Sequence, residues 1–382
     1  MRMTARDTGA GPLSFDNWRR SIGPGARPTR VIEFPLYSDA RITGHIADGF
    51  GPYAWLNMVT ADDRRPSVTL RLALFEVEES PDLELRTDDR LYHGGGLADE
   101  LAALASLALC ARVKAGGASR EFVDGGDALG RPVGWAYVPE PQIPERAWIV
   151  VPIARGEKSL SGLARLKVFP SMSSEAAIAF VRSARLFQDA LWIADAEPAL
   201  AWLMLASAIE AVATHWDQTK GPAIERFRSW GRSGAVEEMV NAHGCPELFG
   251  ELAEIFADLV GSTRKFTDFL LKFCDSPPPE RPDVGRLEWS PSKMKKVYAK
   301  VYDYRSKALH EGLPFPAPMC LPPMRFDTGG PVPETPSGLG SSTMGGRWDH
   351  KDTPILLNTF VWITHTSIMN WVTTAGEAAA QS

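Results

Sequence analysis

The sequence has few cysteines, and their spacing excludes the common thiol-based sites. The four cysteines are Cys110, Cys245, Cys274 and Cys320, and no two of them have C-x-x-C spacing. His243 lies close to Cys245, but nothing nearby completes a zinc-binding set. Isolated cysteines in a chain of this length indicate a reducing compartment. We therefore expect a cytoplasmic protein with no metal site and no other cofactor.

We also expect neither a secretory signal nor a membrane span. The first residues, MRMTARDTGAGPLSFDNW, contain no apolar h-region, which predicts that no secretory signal is present. The most apolar stretch near the other end, Ile355–Val372, is interrupted by polar residues such as Asn358 and His365. A membrane span needs about 20 mostly apolar residues. This stretch is therefore expected to be a buried helix, and no membrane association is predicted.

An excess of positive charge is absent as well. Lys and Arg total 41 against 47 Asp and Glu, which gives a formal net charge of -6, and the pI is about 5.7. A mildly acidic chain lacks the overall electrostatic footprint of a nucleic-acid-binding protein. Contact with RNA would therefore require a local basic patch.

Two enzyme signatures are incomplete. The run from His93 to Gly96, HGGG, matches the oxyanion segment of some esterases, but the chain contains no G-x-S-x-G nucleophile elbow. A glycine run that leads into a helix can bind phosphate. The chain has neither a Walker lysine nor a G-x-G-x-x-G motif. We interpret these glycines mainly as a flexible turn.

The first part of the chain mixes strand and helix patterns. A length of 382 residues predicts two or three domains, and 44% hydrophobic residues suffice for each to bury its own core. One helix is predicted at Leu97–Lys114, between two glycine runs. We predict an α+β domain of unknown role over residues 1–170. The predicted strands are Arg30–Pro35, Ser67–Glu76, Trp148–Ile153 and Arg165–Phe169.

Residues 171–382 are expected to form an all-α helical bundle. Ser173 or Ser174 caps the first helix, and Ser290 caps the fifth. Between the last two helices lies a Pro- and Gly-rich insert, Leu313–Pro354, which is unusually long for a loop in a compact domain. We expect it to be either disordered or a functional flap. The predicted helices are Ser174–Ile193, Pro198–Trp216, Pro222–Ala242, Pro246–Phe273, Pro291–Gly312 and Ile355–Thr374.

The segment Val301–Gly312, VYDYRSKALHEG, places Arg305 and His310 on one predicted helix. This spacing alone is weak evidence, because Arg and His are frequent enough for a chance match. A second match in a looser form, Arg86 and His93, lies in a polar run before three glycines, where a turn is expected. The sequence around each match therefore has to decide which of the two is a real motif.

The helix that carries Arg305 is the most basic stretch of the chain. His310 falls in its last turn, and a helix C-terminus favours a cationic imidazole. Such a position keeps the imidazole suited to proton transfer. The lysines on this helix that are candidates for RNA contact are Lys293, Lys296, Lys300 and Lys307.

The sequence YDYRSKALHEG resembles the R-x4-6-H segment of HEPN domains, most closely the Apea-like branch. The resemblance covers roughly Ser173–Ala378, departs from the family at the insert, and does not extend to the first domain. It implies a helical bundle that dimerises with the motif at the dimer cleft. It also implies a metal-independent endoribonuclease, or an RNA-binding effector, of toxin–antitoxin or antiphage systems.

The resemblance assigns catalytic roles to Arg305 and His310, with Asp303 and Ser306 in support. Ser306 departs from the pattern, since active nucleases often have Asn, Asp or His after the motif arginine. The residue types suit RNA cleavage, in which the 2′-OH attacks the adjacent phosphate. His310 would transfer a proton, and Arg305 would stabilise the charge that develops on the phosphate.

Glu210 is the third candidate residue of the site. It lies on an apolar predicted helix, on one stripe with Ser207 and Thr214. A buried carboxylate needs a partner. That partner is either Arg305, as in HEPN domains that place a polar residue opposite the motif, or an unrelated basic residue.

The alternative hypothesis is a non-catalytic HEPN-like module for dimerisation or interaction. In it Arg305 pairs with a carboxylate for structural reasons, and His310 is satisfied at the helix end. Ser306 and the acidic pI favour this alternative, whereas the basic helix favours the nuclease. The expected partners are RNA and a second copy of the chain.

Overall fold

A computed structural model describes residues 11–57, 66–75, 95–122, 129–133, 148–218, 220–257, 259–324, 330–337, 340–343 and 346–381. The chain divides into two compact units. The first comprises Met1–Ala201 and Met369–Ser382, and the second comprises Trp202–Ile368. The first unit thus extends past residue 170, where the predicted domain boundary lies. Arg86 and His93 fall outside the described residues.

The N-terminal part contains an antiparallel sheet centred on its first strand. The strands are β1 (Arg30–Tyr37), β2 (Arg41–Thr43), β3 (Tyr53–Asn57), β4 (Pro66–Leu74), β5 (Lys114–Ala115), β6 (Arg120–Phe122), β7 (Arg131–Pro132) and β8 (Glu157–Ser159). The sheet has the order β3-β4-β1-β6-β7, with β5 also paired to β1, while β2 and β8 form a separate parallel pair. Val68, Leu70 and Leu72 of β4 are buried, which confirms the predicted alternation.

Two predicted strands of the first unit are wrong. Trp148–Ile153 forms no strand, although all its residues are described, and Arg165–Phe169 lies within a 3-10 segment, Leu160–Ser171. The buried apolar residues of this segment recur every third position, at Leu160, Leu163, Leu166 and Phe169. A period of three suits the 3-10 helix, which has three residues per turn.

The helices of the first unit are α1 (Leu13–Ser21), α2 (Leu97–Leu109) and α3 (Ser174–Ile193). The predicted cap of α3 is confirmed, because Ser173 Oγ accepts the amide of Ala176 at 3.2 Å. Helix α2 ends earlier than predicted. Its C-cap residue, Cys110, has a positive φ of 47°, and this left-handed backbone terminates the helix.

Arg112 lies after α2, and its side chain is fully buried. Nη1 and Nη2 pair with Asp39 at 2.7 Å and Asp195 at 2.8 Å, and Nε donates to the carbonyl of Leu191 at 2.6 Å. Arg155 also contacts both carboxylates. Because buried charges are tolerated only when they are paired and hydrogen-bonded, this cluster joins distant segments of the first unit.

The C-terminal half is helical, as predicted. Its helices are α4 (Pro198–Gln218), α5 (Ala223–Arg228), α6 (Ser233–Ala242), α7 (Leu248–Phe256), α8 (Ser262–Phe273), α9 (Pro291–His310) and α10 (Leu357–Gln381). Two predicted helices are each divided in the structure, into α5 and α6 and into α7 and α8. The second break coincides with Gly261, whose φ of 75° is incompatible with a continuous right-handed helix.

Helix α4 provides part of the core of the second unit. Its Trp202 stacks on Phe315 and Phe360, with ring centroids 5.1 and 4.6 Å apart, and donates Nε1–H to the carbonyl of Met319 at 3.3 Å. Among the described helices, α4 is long and apolar enough to cross a membrane. A buried core helix has the same composition, and Trp202 and Ile209 are fully buried here.

The described residues of the insert have defined structure. They contain a 3-10 turn at Ala317–Cys320 and an antiparallel pair, β9 (Gly340–Thr343) with β10 (Gly346–Asp349). Phe315 and Met319 are buried. In its described part the insert is therefore ordered, so the expectation of disorder is wrong for these residues, and the role of a functional flap stays a prediction.

Glu334 fixes the middle of the insert. Its carboxylate accepts Nε and Nη2 of Arg281 at 2.9 and 2.6 Å and the amide of Leu287 at 2.6 Å. Its carbonyl accepts the hydroxyl of Thr359 at 2.8 Å and the amide of Leu356 at 3.0 Å. One residue thus ties the insert to the segment before α9 and to the start of α10.

Candidate functional site

Arg305 on α9 forms an ion pair with Glu210 on α4, between its Nη2 and Oε2 of the carboxylate. The other carboxylate oxygen accepts the hydroxyl of Tyr302 at 2.8 Å. Tyr302 and Arg305 are three residues apart, so they share one face of α9. Of the two partners left open for Glu210, the structure shows Arg305.

Tyr302 completes this group, although the sequence did not single it out. The guanidinium carbon of Arg305 lies 5.5 Å from the centroid of the Tyr302 ring, and that ring lies 5.2 Å from the ring of Phe266. Burial, together with the neighbouring Glu210, raises the pKa of Tyr302 to about 12. The hydroxyl therefore stays protonated near neutral pH and donates to Glu210. Its position three residues before the motif arginine is the signal that would have found it.

The guanidinium of Arg305 has hydrogen-bonding capacity that the ion pair does not use. Its Nε is buried and has no acceptor among the described residues. An unmatched buried donor costs roughly 1–3 kcal/mol, so such atoms mark places where a ligand or a water molecule supplies the acceptor. Arg305 is therefore held in one position by Glu210, with its Nε enclosed and its side chain 18% exposed.

His310 lies in the last turn of α9 and is exposed. Gly312, with a φ of 69°, follows just beyond the helix. Five residues advance a helix by about 7.5 Å and rotate it by roughly 140°. Arg305 and His310 thus lie on different faces of α9, and no hydrogen bond or ion pair between these two described side chains joins them. Leu309 and Leu313 flank the histidine and are 51% and 50% exposed.

The four lysines predicted to contact RNA do not form one free basic patch. Three of them pair with carboxylates: Lys300 with Asp352 at 3.0 Å, Lys307 with Asp303 at 2.9 Å and Lys293 with Glu288 at 3.7 Å. Lys296 is exposed and forms no ion pair within the described part of the chain. Asp303 therefore contacts Lys307 rather than Arg305 or His310, and Ser306 is partly buried.

A second carboxylate lies on the same side of α4, two turns after Glu210. Asp217 is fully buried and accepts both Nη atoms of Arg264 at 3.1 and 3.2 Å. Lys220 and Lys265 lie 3.4 and 3.9 Å from it. Sequence reasoning missed this group, because the positions of α8 relative to α4 could not be read from the chain. The polar stripe of α4 thus holds two carboxylates, each bound by an arginine.

No group of three or more His, Cys, Asp and Glu side chains suitable for a metal ion occurs among the described residues. No protein-family model matches the sequence, and neither a curated protein nor a solved structure matches it. The interpretation of the site therefore depends on its residues and their geometry.

Proposed function

We propose that the protein is a HEPN-type, metal-independent endoribonuclease in which Arg305 binds the scissile phosphate and His310 transfers a proton. The observation that supports this most is the restraint of Arg305 by Glu210 and Tyr302, close along α9 to an exposed histidine. The resemblance of YDYRSKALHEG to the R-x4-6-H motif points to the same residues. Catalysis of phosphate transfer depends on such fixed cations.

The proposed reaction is an internal transesterification of RNA. The 2′-oxygen forms a bond to phosphorus and the bond from phosphorus to the 5′-oxygen breaks, leaving a 2′,3′-cyclic phosphate and a 5′-hydroxyl end. One proton leaves the 2′-OH and one reaches the departing 5′-oxygen; His310 serves one of these transfers. Arg305 compensates the charge on the pentacoordinate phosphate.

A second copy of the chain fits this proposal. Arg305 and His310 lie on different faces of one helix, so two motifs that meet across a dimer would provide both groups in one cleft. The exposed Leu309 and Leu313 beside His310 give this end of α9 an apolar surface suited to an interface. We place the dimer contact there.

The proposal is tested with purified full-length protein and single-stranded RNA in the presence of EDTA. Wild-type protein is expected to produce fragments with cyclic phosphate ends, and His310→Ala to produce none while its melting temperature stays unchanged. His45→Ala, which removes another exposed histidine, is the matched control and should cut like wild type. Equal cutting by His310→Ala, or an inert wild type with every RNA tested, would overturn the proposal.

The second candidate function is a non-catalytic dimerisation or interaction module. The observation that favours it is the neutralisation of charge: Arg305, Lys293, Lys300 and Lys307 each already have a carboxylate partner. In this case Arg305→Ala lowers the melting temperature or breaks the dimer, and no wild-type nuclease activity exists to be lost.

For the nuclease we propose a role in toxin–antitoxin or antiphage defence in the cytoplasm. Expression in a bacterial host provides the test. Wild-type protein is expected to arrest growth, and His310→Ala to be tolerated at the same expression level. Equal toxicity of the two proteins would contradict this role.

A further inference from the structure

Helix α7 has two apolar sides. Phe249 and Ala253 are buried in a small core with Ala223 and Phe227, and the rings of Phe249 and Phe227 are 5.4 Å apart. This side is explained by packing within the second unit. The other side is not.

The apolar stripe of α7 consists of Leu248, Leu252, Ile255 and, just after the helix, Leu259. Leu248, Ile255 and Leu259 are 40%, 61% and 69% exposed, and Leu252 is only partly buried. Phe256, beside the stripe, is 40% exposed. Leu252 also packs against the small core, and Leu259 lies in the turn after the helix. Leu248, Ile255 and Leu259 thus form a row of exposed apolar residues, whereas apolar residues exposed singly would need no explanation.

The spacing of the apolar stripe indicates what covers it. Its three residues within α7, Leu248, Leu252 and Ile255, are separated by four and three positions, which is the spacing of the seam between two packed helices. An α-helix laid along α7 would bury the whole row. Binding of an amphipathic helix through its apolar face to a hydrophobic surface is a common mode of protein recognition.

The charge beside the stripe determines the chemistry of that helix. Glu247, Glu251 and Glu254 are exposed and lie along one flank of the stripe. No Lys or Arg occurs between Glu247 and Ala257. A second copy of α7 would bring like charges together, at a cost in free energy. A helix with an apolar face bordered by Lys or Arg complements both features.

We propose that α7 docks a basic amphipathic helix of a partner protein through its apolar stripe and the adjacent glutamates. An interface of one helix is small, so the complex is expected to be weak and reversible. This docking proposal does not depend on the proposed endoribonuclease activity, because no residue of the apolar stripe or of the adjacent glutamates belongs to the candidate site.

The test uses the full-length protein and a synthetic helical peptide with leucine on one face and lysine on its borders. Binding is measured by calorimetry, together with a scrambled peptide of the same composition and an otherwise identical peptide with glutamate for lysine. The designed peptide should bind, and the two control peptides should bind at least about tenfold more weakly.

Variants of the protein locate the binding surface. Ile255→Ser combined with Leu259→Ser should weaken peptide binding about tenfold, and Glu251→Lys with Glu254→Lys should weaken it and reduce its dependence on salt. Val284→Ser, which removes another exposed apolar residue, is the control and should bind like wild type. Binding that is indifferent to these variants would overturn the proposal. So would a homodimer dissociated by Ile255→Ser, because a second copy would then be the occupant.

Discussion

Glu210 and Arg305, 95 positions apart in the sequence, form the ion pair that joins α4 to α9. Their side chains are 20% and 18% exposed. Such a pair lies between the surface salt bridge, which contributes little, and the fully buried pair, whose separation is costly. Its contribution to stability can therefore be measured apart from any catalytic role.

We expect this pair to show a coupling free energy of roughly 1–3 kcal/mol in a double-mutant cycle of Glu210→Ala and Arg305→Ala. The carboxylate also receives Tyr302, so each single variant leaves an unmatched polar group. Urea denaturation of the four proteins gives the value. The more exposed pair Lys307 and Asp303 is the control and should show a smaller coupling. A coupling indistinguishable from this control would contradict the structural role.

Tyr302→Phe is expected to destabilise the protein by about 1 kcal/mol at pH 9, through loss of the hydrogen bond to Glu210. The pKa of Tyr302 is raised from its ordinary value of 10.0 to about 12. The folded protein therefore keeps this proton where the unfolded chain has lost it, so the contribution is complete below pH 10 and is lost as pH rises towards 12. The difference between wild type and variant should shrink when urea denaturation is repeated at pH 11. A constant difference would contradict the raised pKa.

Arg112→Met is expected to destabilise the first unit strongly, by roughly 3–5 kcal/mol, because Asp39 and Asp195 would lose their buried guanidinium. Thermal unfolding measures the loss. Arg41→Met, at an exposed arginine 3.9 Å from Glu157, is the control and should leave the melting temperature unchanged. An Arg112 variant as stable as the Arg41 variant would show that the cluster is dispensable.

Two helical glycines should respond to alanine in opposite directions. A Cβ at Gly376 of α10 would overlap Cβ of Val168, so Gly376→Ala should cost about 1–3 kcal/mol. At Gly250 of α7 a Cβ would meet nothing within 4 Å, so Gly250→Ala should stabilise by about 0.5–1 kcal/mol. The denaturation midpoints of Gly376→Ala and Gly250→Ala test these two expectations. Stabilisation by Gly376→Ala would contradict the close approach.

The sequence predicts what depends on local signals. Some helix ends are indicated by a residue type that favours that position. Examples are the cap at Ser173, the start of α4 at Pro198 and the end of α9 near Gly312. The partner of Glu210 was among the alternatives because a buried carboxylate has few ways to be satisfied.

The rest depends on packing between distant segments. A short segment such as Arg165–Phe169 suits a strand by its pattern. Only the recurrence of buried apolar residues at every third position of the wider segment distinguishes the 3-10 helix. Asp217 and Arg264 are 47 positions apart, so their contact requires the placement of α8 against α4. The pairing of Lys293 and Lys300 was not predicted because their acidic partners, Glu288 and Asp352, lie outside α9.

The position of Glu334 at the middle of the insert has a consequence for how this segment can change over evolution. The entropic cost of closing a loop rises only with the logarithm of its length. Residues added in the second arm of the insert, between Glu334 and α10, therefore cost little free energy. They leave the first arm, between α9 and Glu334, unaltered. The two arms are therefore free to lengthen or diverge separately, while the residue between them is constrained by its contacts with Arg281 and Thr359. We expect length variation among relatives to be concentrated in the arms and to spare the Glu334 anchor.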